Sequence, residues 1–312
     1  MNLPTVADSP PCALVICTIA RPIELGQSLS GLNRQSLKPQ FVVIVDASPN
    51  DEIAKAIEFS RNSTELELVH LRSTPGLAHQ RNVGLNYART RLPLRSIVHF
   101  IDDDAIPMPS YLESIHDVFG LHEDAICVGG RDTERVVDPA PLIARLIGTN
   151  SRKEGRILRT AWNIHSRSRT EIREVDWVSG LSQSYNIQRL GGTQFDDTIR
   201  FYGEEVDMHV RCASLGRIFR TPFAEIHHLE STVGREDETE VTLWTDCSKW
   251  MLCVNYPERF SKSIFLGSTI AHMFLKLLSG SLRARSKDRL TAYGHARFIG
   301  RLLRGRHMRE PF

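Results

Sequence analysis

Between residues 13 and 129 the chain alternates two kinds of hydrophobic pattern. Ala13 to Thr18, Phe41 to Asp46, Leu66 to Leu71, Ile97 to Ile101 and Ile126 to Gly129 are short apolar runs without polar alternation, which read as buried strands. Ile23 to Asn33, Asp51 to Phe59, Leu77 to Thr90 and Tyr111 to Phe119 carry helical spacing. This alternation predicts an α/β fold with a Rossmann-like, mostly parallel sheet flanked by helices. Ligands of such sheets gather at the carboxyl ends of the strands, so functional residues are expected just past each strand.

Residues 131 to 175 break the rhythm, being rich in Arg, Glu, Ser and Thr with weak periodicity. That composition suits a variable surface excursion and equally a lid or acceptor loop. From Trp177 a Ser-rich, strand-like stretch runs to Ile187, followed by a helical Gly203 to Leu215 and a strand from Ala224 to His228. Three helical patterns then close the chain: Glu240 to Asn255, Ser263 to Leu282 and Asp288 to Arg304. The expected organisation is one α/β domain over 1–238 and a basic, helical C-terminal region over 239–312.

Composition narrows the class. The chain has 312 residues, enough for one large domain with an appendage, and its 41% hydrophobic and 24% charged content is that of an ordinary globular protein. A net charge of only +2 argues against nucleic acid as a partner, since affinity for it rests on neutralising many phosphates. The cysteines at 12, 17, 127, 212, 247 and 253 form no CxxC and no Cys/His cluster along the sequence, so neither a zinc site nor a disulfide framework is expected. Met1 to Pro11 carries an Asp and three prolines rather than a signal peptide, and a cytoplasmic protein is expected.

Five short segments carry candidate chemistry. Ile97 to Ile101 runs straight into Asp102, Asp103 and Asp104. Adjacent carboxylates repel, and a hard divalent cation, Mn²⁺ or Mg²⁺, turns that repulsion to use, although an acidic turn capping the helix at Tyr111 has the same composition. Asp46 directly follows a buried strand, where it suits either a ligand contact or a βα turn. Arg81 lies one turn into the helix that follows Gly76, facing either an anion or solvent. Glu204, Glu205 and Asp207 crowd a helix start, where the helix dipole also favours acids. In Pro222 to His228, strand alternation puts Ala224, Ile226 and His228 on one face and His227 on the other.

Taken in order, these segments resemble the family 2 glycosyltransferases with a GT-A fold. The likeness runs from about residue 13 to 235 and rests on Thr18-Ile-Ala-Arg21-Pro22, Val45-Asp46, Gly76 to Gly84, Asp102 to Asp104, Gly180 to Tyr185, Gly203-Glu204-Glu205 and Pro222 to His228. The chain departs from the family pattern at Glu205, commonly Asp, and at Ser182, commonly Asn. The resemblance implies a metal-dependent, inverting transfer from a nucleotide-diphosphate sugar to a glycan or lipid-linked acceptor in cell-surface polysaccharide or glycoconjugate synthesis. It implies a nucleotide-binding half over about 11–130 and an acceptor half over about 176–238.

Residue by residue, the resemblance implies that Thr18, Arg21, Asp46 and Arg81 bind the nucleotide sugar, with Asp46 and Arg81 toward the base and Asp102 and Asp103 toward the ribose. Asp104 and His228, with Asp102, would hold Mn²⁺ or Mg²⁺. Glu205 occupies the position of the general base, with Glu204 as the neighbouring alternative. Arg235 lies where some relatives place a basic contact to the diphosphate. Trp177 and Gly180 fall in the acceptor region, where Trp177 would either stack on a sugar or serve as core.

In the tail, Ile264 to Gly280 is apolar but interrupted by His272 and Lys276, and Arg residues crowd 283 to 309. An amphipathic helix with a basic flank suits the anionic inner face of a membrane, and a helix packed on the domain with its basic side in water has the same pattern. Two other readings on related folds lack their motifs. A sugar nucleotidyltransferase needs a Gly-rich loop after the first strand, where Cys17 to Pro22 has none, and a nicotinamide dehydrogenase needs GxGxxG. A non-catalytic nucleotide-sugar or glycan-binding module stays open.

Overall fold

A computed structural model describes residues 9–135, 141–199, 202–231, 233, 237–282, 285–306 and 308. Strands β1 (Cys12–Thr18), β2 (Phe41–Asp46), β3 (Leu68–Arg72) and β4 (Ile97–Asp102) run parallel in the order β3-β2-β1-β4. All six residues of β2 are buried, the two-sided burial that a run without polar alternation implies. Helices α1 (Pro22–Asn33), α2 (Glu52–Arg61) and α3 (Leu77–Arg91) make the crossovers. Pro22 starts α1, where its fixed φ and missing N–H cost nothing. A Cβ on Gly84 of α3 would stand 2.3 Å from Val15 Cγ1, so glycine here lets α3 lie close on β1.

One core layer, with Leu14, Ile16, Leu25, Leu29, Val42, Ile44 and Ile53, lies between the sheet and α1 and α2. The other, with Val15, Val43, Val45, Ala78, Leu85 and Ala88, lies under α3. Beyond β4 the sheet continues through β8 (Ser182–Asn186), β6 (Ala125–Asp132), β9 (Arg217–His228) and β5 (Ala105–Pro107), and β7 (Arg173–Val175) also pairs with β9. Here β6 and β9 are parallel, while β4–β8, β6–β8, β5–β9 and β7–β9 are antiparallel. The sheet is thus mixed: the expected parallel arrangement holds for β3-β2-β1-β4 and gives way past it. Helix α4 (Tyr111–Leu121) covers the α1 side. The strand expected at Ala224 begins at Arg217, because residues 217 to 220 pair with β6 and β7 despite two arginines. Short helices α5 (Leu142–Leu146) and α6 (Ile187–Leu190) and the longer α7 (Glu204–Cys212) complete this part of the chain.

The chain falls into two compact units. The first, Met1–Val136, Ser166–Asp197 and Met208–Gly234, contains every strand of the sheet; the second is Val137–His165, Thr198–Asp207 and Arg235–Phe312. The sequence suggests two contiguous pieces meeting at 238, whereas the second unit also takes Val137–His165 and Thr198–Asp207.

Within the second unit, α8 (Glu238–Asn255), α9 (Lys262–Leu282) and α10 (Ser286–Leu303) pack around Phe265, Phe298 and Trp250. Asp237 caps α8 by accepting from the N–H groups of Thr239 and Glu240. The two interruptions in the apolar α9 pattern are satisfied inside this unit. Lys276 meets Asp288 at 2.7 Å, and His272 joins a chain through His295 to Asp246 at 3.0 and 2.5 Å. The basic tail is partly structural: Arg301 is buried over Trp244 and Arg297 pairs with Glu240.

Candidate active site at the carboxyl ends of the central strands

Parallel register aligns the strand ends. Thr18 stands opposite Asp46, and Cys17 opposite Asp102, so the chain leaves β1, β2 and β4 side by side. Gln80, one turn into α3, donates to the carbonyls of Thr18 and Val45 and ties the first two ends together. After β4 the chain turns into β5, where Ala105 pairs with His228 and Leu229 N–H donates to the Asp104 carbonyl at 2.9 Å. That pairing brings Asp104 to His228 across a sequence gap of more than a hundred residues.

The three adjacent aspartates point in different directions. Asp103 is buried, accepting from Thr18 Oγ1 at 2.7 Å and from Arg21 Nη1 at 2.9 Å, one donor to each oxygen. Asp104 faces His228 Nε2 at 3.3 Å and accepts from the Ser231 N–H at 3.1 Å. Asp102 is the open one, with a third of its side chain exposed, and lies 3.6 Å from Arg81. One ligand atom each from Asp102, Asp104 and His228 fall within 4.8 Å of one another. Two carboxylate oxygens and an imidazole fit Mn²⁺ or Mg²⁺. Arg21 also donates to the Val233 carbonyl, and Ser231 to Glu24, which folds the segment after β9 over the start of α1.

Environment separates these acids. Burial holds the Asp103 carboxyl up at about 6, against the pull of Arg21 and Thr18. Burial pushes Asp104 up as well, but the His228 hydrogen bond and charge, with Arg21, more than offset it and leave this group below its ordinary value. The hydrogen bond to Asp104 raises His228 in turn. His228 Nδ1 lies 3.6 Å from Asp132, an acid at the end of β6 that sequence reasoning passed over. Its only sequence signal is its place at a strand end, and a carboxylate behind a metal-binding imidazole is the usual way to orient the ring.

The remaining predicted residues are placed as follows. Asp46 is fully buried, with Arg72, His70 and Ser48 on its oxygens at 2.6, 3.0 and 2.8 Å. Burial opposes its ionisation, but these bonds outweigh it and hold Asp46 low. Of these partners Arg72 is the half-exposed one. Arg81 is buried against the Phe195 ring and donates to the Gly180 carbonyl at 3.3 Å. A Cβ on Gly180 would lie 2.9 Å from Arg81 Nη2, so this glycine makes room for the guanidinium. Trp177 is buried, with 4% of its surface exposed, the setting of its core alternative. Glu204 and Glu205 belong to the second unit; Glu204 is buried, and Glu205 accepts from the Gly203 N–H at 3.2 Å. Arg235 lies outside the described residues.

A family model for glycosyl transferase family 2 matches residues 13–173. Over 124 residues the chain is 26% identical to a glucosyl-dolichyl phosphate glucuronosyltransferase of Haloferax volcanii, a match covering 38% of this chain and only 37% of that relative. Among solved structures, the fold is similar to mannosyltransferase PcManGT from Pyrobaculum calidifontis in complex with GDP-Man and Mn²⁺, with a TM-score of 0.60 at 13% identity over 96% of this chain and 88% of the other. It is also similar to GalNAc-T7 with UDP, GalNAc and Mn²⁺, with a TM-score of 0.54 at 12% identity over 81% and 51% of the two chains.

Proposed function

The chain belongs to glycosyl transferase family 2 and has its GT-A fold, and from that premise we propose that it moves a sugar from a nucleotide-diphosphate donor to a glycan or lipid-linked acceptor with inversion. The observation that carries this reading is the convergence of Asp102, Asp104 and His228 beside the ends of β1, β2 and β4. These three residues would hold Mn²⁺ or Mg²⁺, which when bound neutralises charge on a diphosphate leaving group. Asp132 orients His228, which serves as a ligand only without its extra proton, and the hydrogen bond to Asp104 makes that proton harder to lose.

The donor site is assigned to Thr18, Arg21, Arg81, Asp102 and Asp103, with Arg235 a candidate for the diphosphate. Two of these act at one remove: Thr18 and Arg21 hold Asp103 on both oxygens and so leave Asp102 and Asp104 to face His228. Asp46 is assigned to the base end, with Arg72 and His70 on its carboxylate. Inversion in a single displacement needs a base that takes the acceptor hydroxyl proton as the anomeric carbon is attacked from the face opposite the diphosphate. Glu205 takes that role, with Glu204 as the alternative, and Gly180 shapes the acceptor side through Arg81.

A peripheral location on the inner face of a membrane is part of the proposal. Helix α9 is long and apolar enough to cross a membrane by length and composition, and Ile264, Phe274, Leu277, Leu278 and Leu282 along it are exposed. The exposed Arg285, Arg289 and Arg304 follow, a combination suited to lying on anionic lipid. The deciding experiment is calorimetric titration with UDP and GDP, with and without Mn²⁺, followed by donor turnover. Metal-dependent binding with transfer or slow donor hydrolysis is expected. Binding without any turnover would favour the non-catalytic module, and equal binding in excess chelator would remove the metal.

A further inference from the structure

A second cluster of metal-binding side chains lies inside the core of the first unit, apart from the carboxylates. Cys12 opens β1, His99 sits mid-strand in β4 opposite Leu14 and Ser184, and His116 comes down from α4. All three are buried in the layer that holds Leu14, Ile16, Ile97, Ile101, Ile115 and Val118. Their donor atoms fall within 4.8 Å of one another. Along the sequence they are too far apart to register as a motif.

We propose that Cys12, His99 and His116 bind zinc through three protein donors and so pin β1, β4 and α4 together. The geometry of the two imidazoles carries the argument. Their Nε2 atoms face each other at 3.3 Å. Two nitrogens each about 2.0–2.1 Å from a tetrahedral zinc stand about 3.3–3.4 Å apart, whereas most N–H hydrogen bonds close to about 2.9–3.0 Å. A thiolate with two imidazoles is a donor set that zinc prefers over Mn²⁺ or Mg²⁺.

The polar accounting of this layer points the same way. His99 Nδ1 lies 2.8 Å from Ser184 Oγ, which leaves its Nε2 lone pair directed at the cluster when Nδ1 carries the proton. His116 Nδ1 has no hydrogen-bond partner among the described residues. Without an ion, the two Nε2 atoms share one long N···N contact in a buried layer and His116 Nδ1 stays unsatisfied among the described residues, an expensive arrangement. Burial keeps both rings neutral, with His116 held down near 4, as a ligand must be. It also lifts the Cys12 thiol to about 12, so zinc binding has to release that proton to solvent and deposits a thiolate beside the ion.

The test is metal analysis of the full chain, unfolded and refolded with Zn²⁺, then dialysed against enough chelator to remove Mn²⁺. Stoichiometric zinc is expected in the wild type and in Asp104→Asn, and none in folded Cys12→Val or His116→Phe. With Co²⁺ in place of Zn²⁺, the wild type should show a thiolate-to-cobalt charge-transfer band that Cys12→Val lacks. The wild-type spectrum alone decides the matter if the variants do not fold. A folded wild type without zinc, zinc retained by Cys12→Val, or copper(I) bound in preference to zinc would each overturn the assignment.

Discussion

Replacing Asp104 with Asn is the sharpest probe of the outer carboxylate site. The amide keeps the side chain's shape and the acceptor for the Ser231 N–H, and it removes one of the two negative charges that Asp102 and Asp104 bring to the cation. Charges at this site sit close: Arg21 is 3.5 Å from Asp104. A unit-charge contact at that spacing is worth about 4–5 kcal/mol at an effective dielectric of about 20, and after the return of desolvation a loss of about 2–4 kcal/mol is expected. In affinity for Mn²⁺ that is about 30- to 1,000-fold. Asp103→Asn is the control, because both Asp103 oxygens are engaged by Thr18 and Arg21 and neither is offered to the ion. Its expected cost is below about tenfold, the lower end of what a supporting residue behind a metal ligand contributes. Free Mn²⁺ followed by electron paramagnetic resonance gives both constants directly. If folded Asp104→Asn binds Mn²⁺ within about threefold of the wild type, or if Asp103→Asn is the more damaging change, the assignment of the metal to Asp104 is wrong.

Glu205→Gln should lower transfer by about 10²- to 10⁴-fold while leaving donor affinity unchanged, and single-turnover kinetics beside Glu204→Gln would show instead whether the base sits one residue earlier. Burial holds Asp103 at about 6, above the about 3.9 of an unfolded aspartate, so its contribution to stability is full below about pH 4 and is lost as pH rises through about 6. Urea unfolding should therefore show the wild type losing stability relative to Asp103→Asn across that window, and a difference that is flat with pH would contradict it. Phe274→Ser with Leu278→Ser should reduce co-sedimentation with phosphatidylserine vesicles and spare donor hydrolysis; unchanged sedimentation would leave the exposed face of α9 without a membrane role. Point changes are the right tool there, because deleting 283 to 312 would remove Phe298 and Arg301 from the core of the helical unit.

Elements were legible in the amino-acid sequence wherever neighbouring residues carry the information. Strands β1, β2 and β4 are buried on both faces and so spell continuous apolar runs, and Pro22 and Gly76 mark the helices that follow. The carboxylates of the site were legible for the same reason, since a polar residue at a strand end interrupts a local pattern. Tertiary structure alone decided which of three consecutive aspartates turns inward, because that depends on Thr18 and Arg21 more than eighty residues away. It alone closed Asp46 behind His70 and Arg72, put Asp132 behind His228 and drew Val137–His165 into the C-terminal unit. Cys12, His99 and His116 show the same limit: periodicity is a statement about one element, whereas strand register and helix docking choose which elements share an interior, and only that choice brings distant donors to within bonding reach.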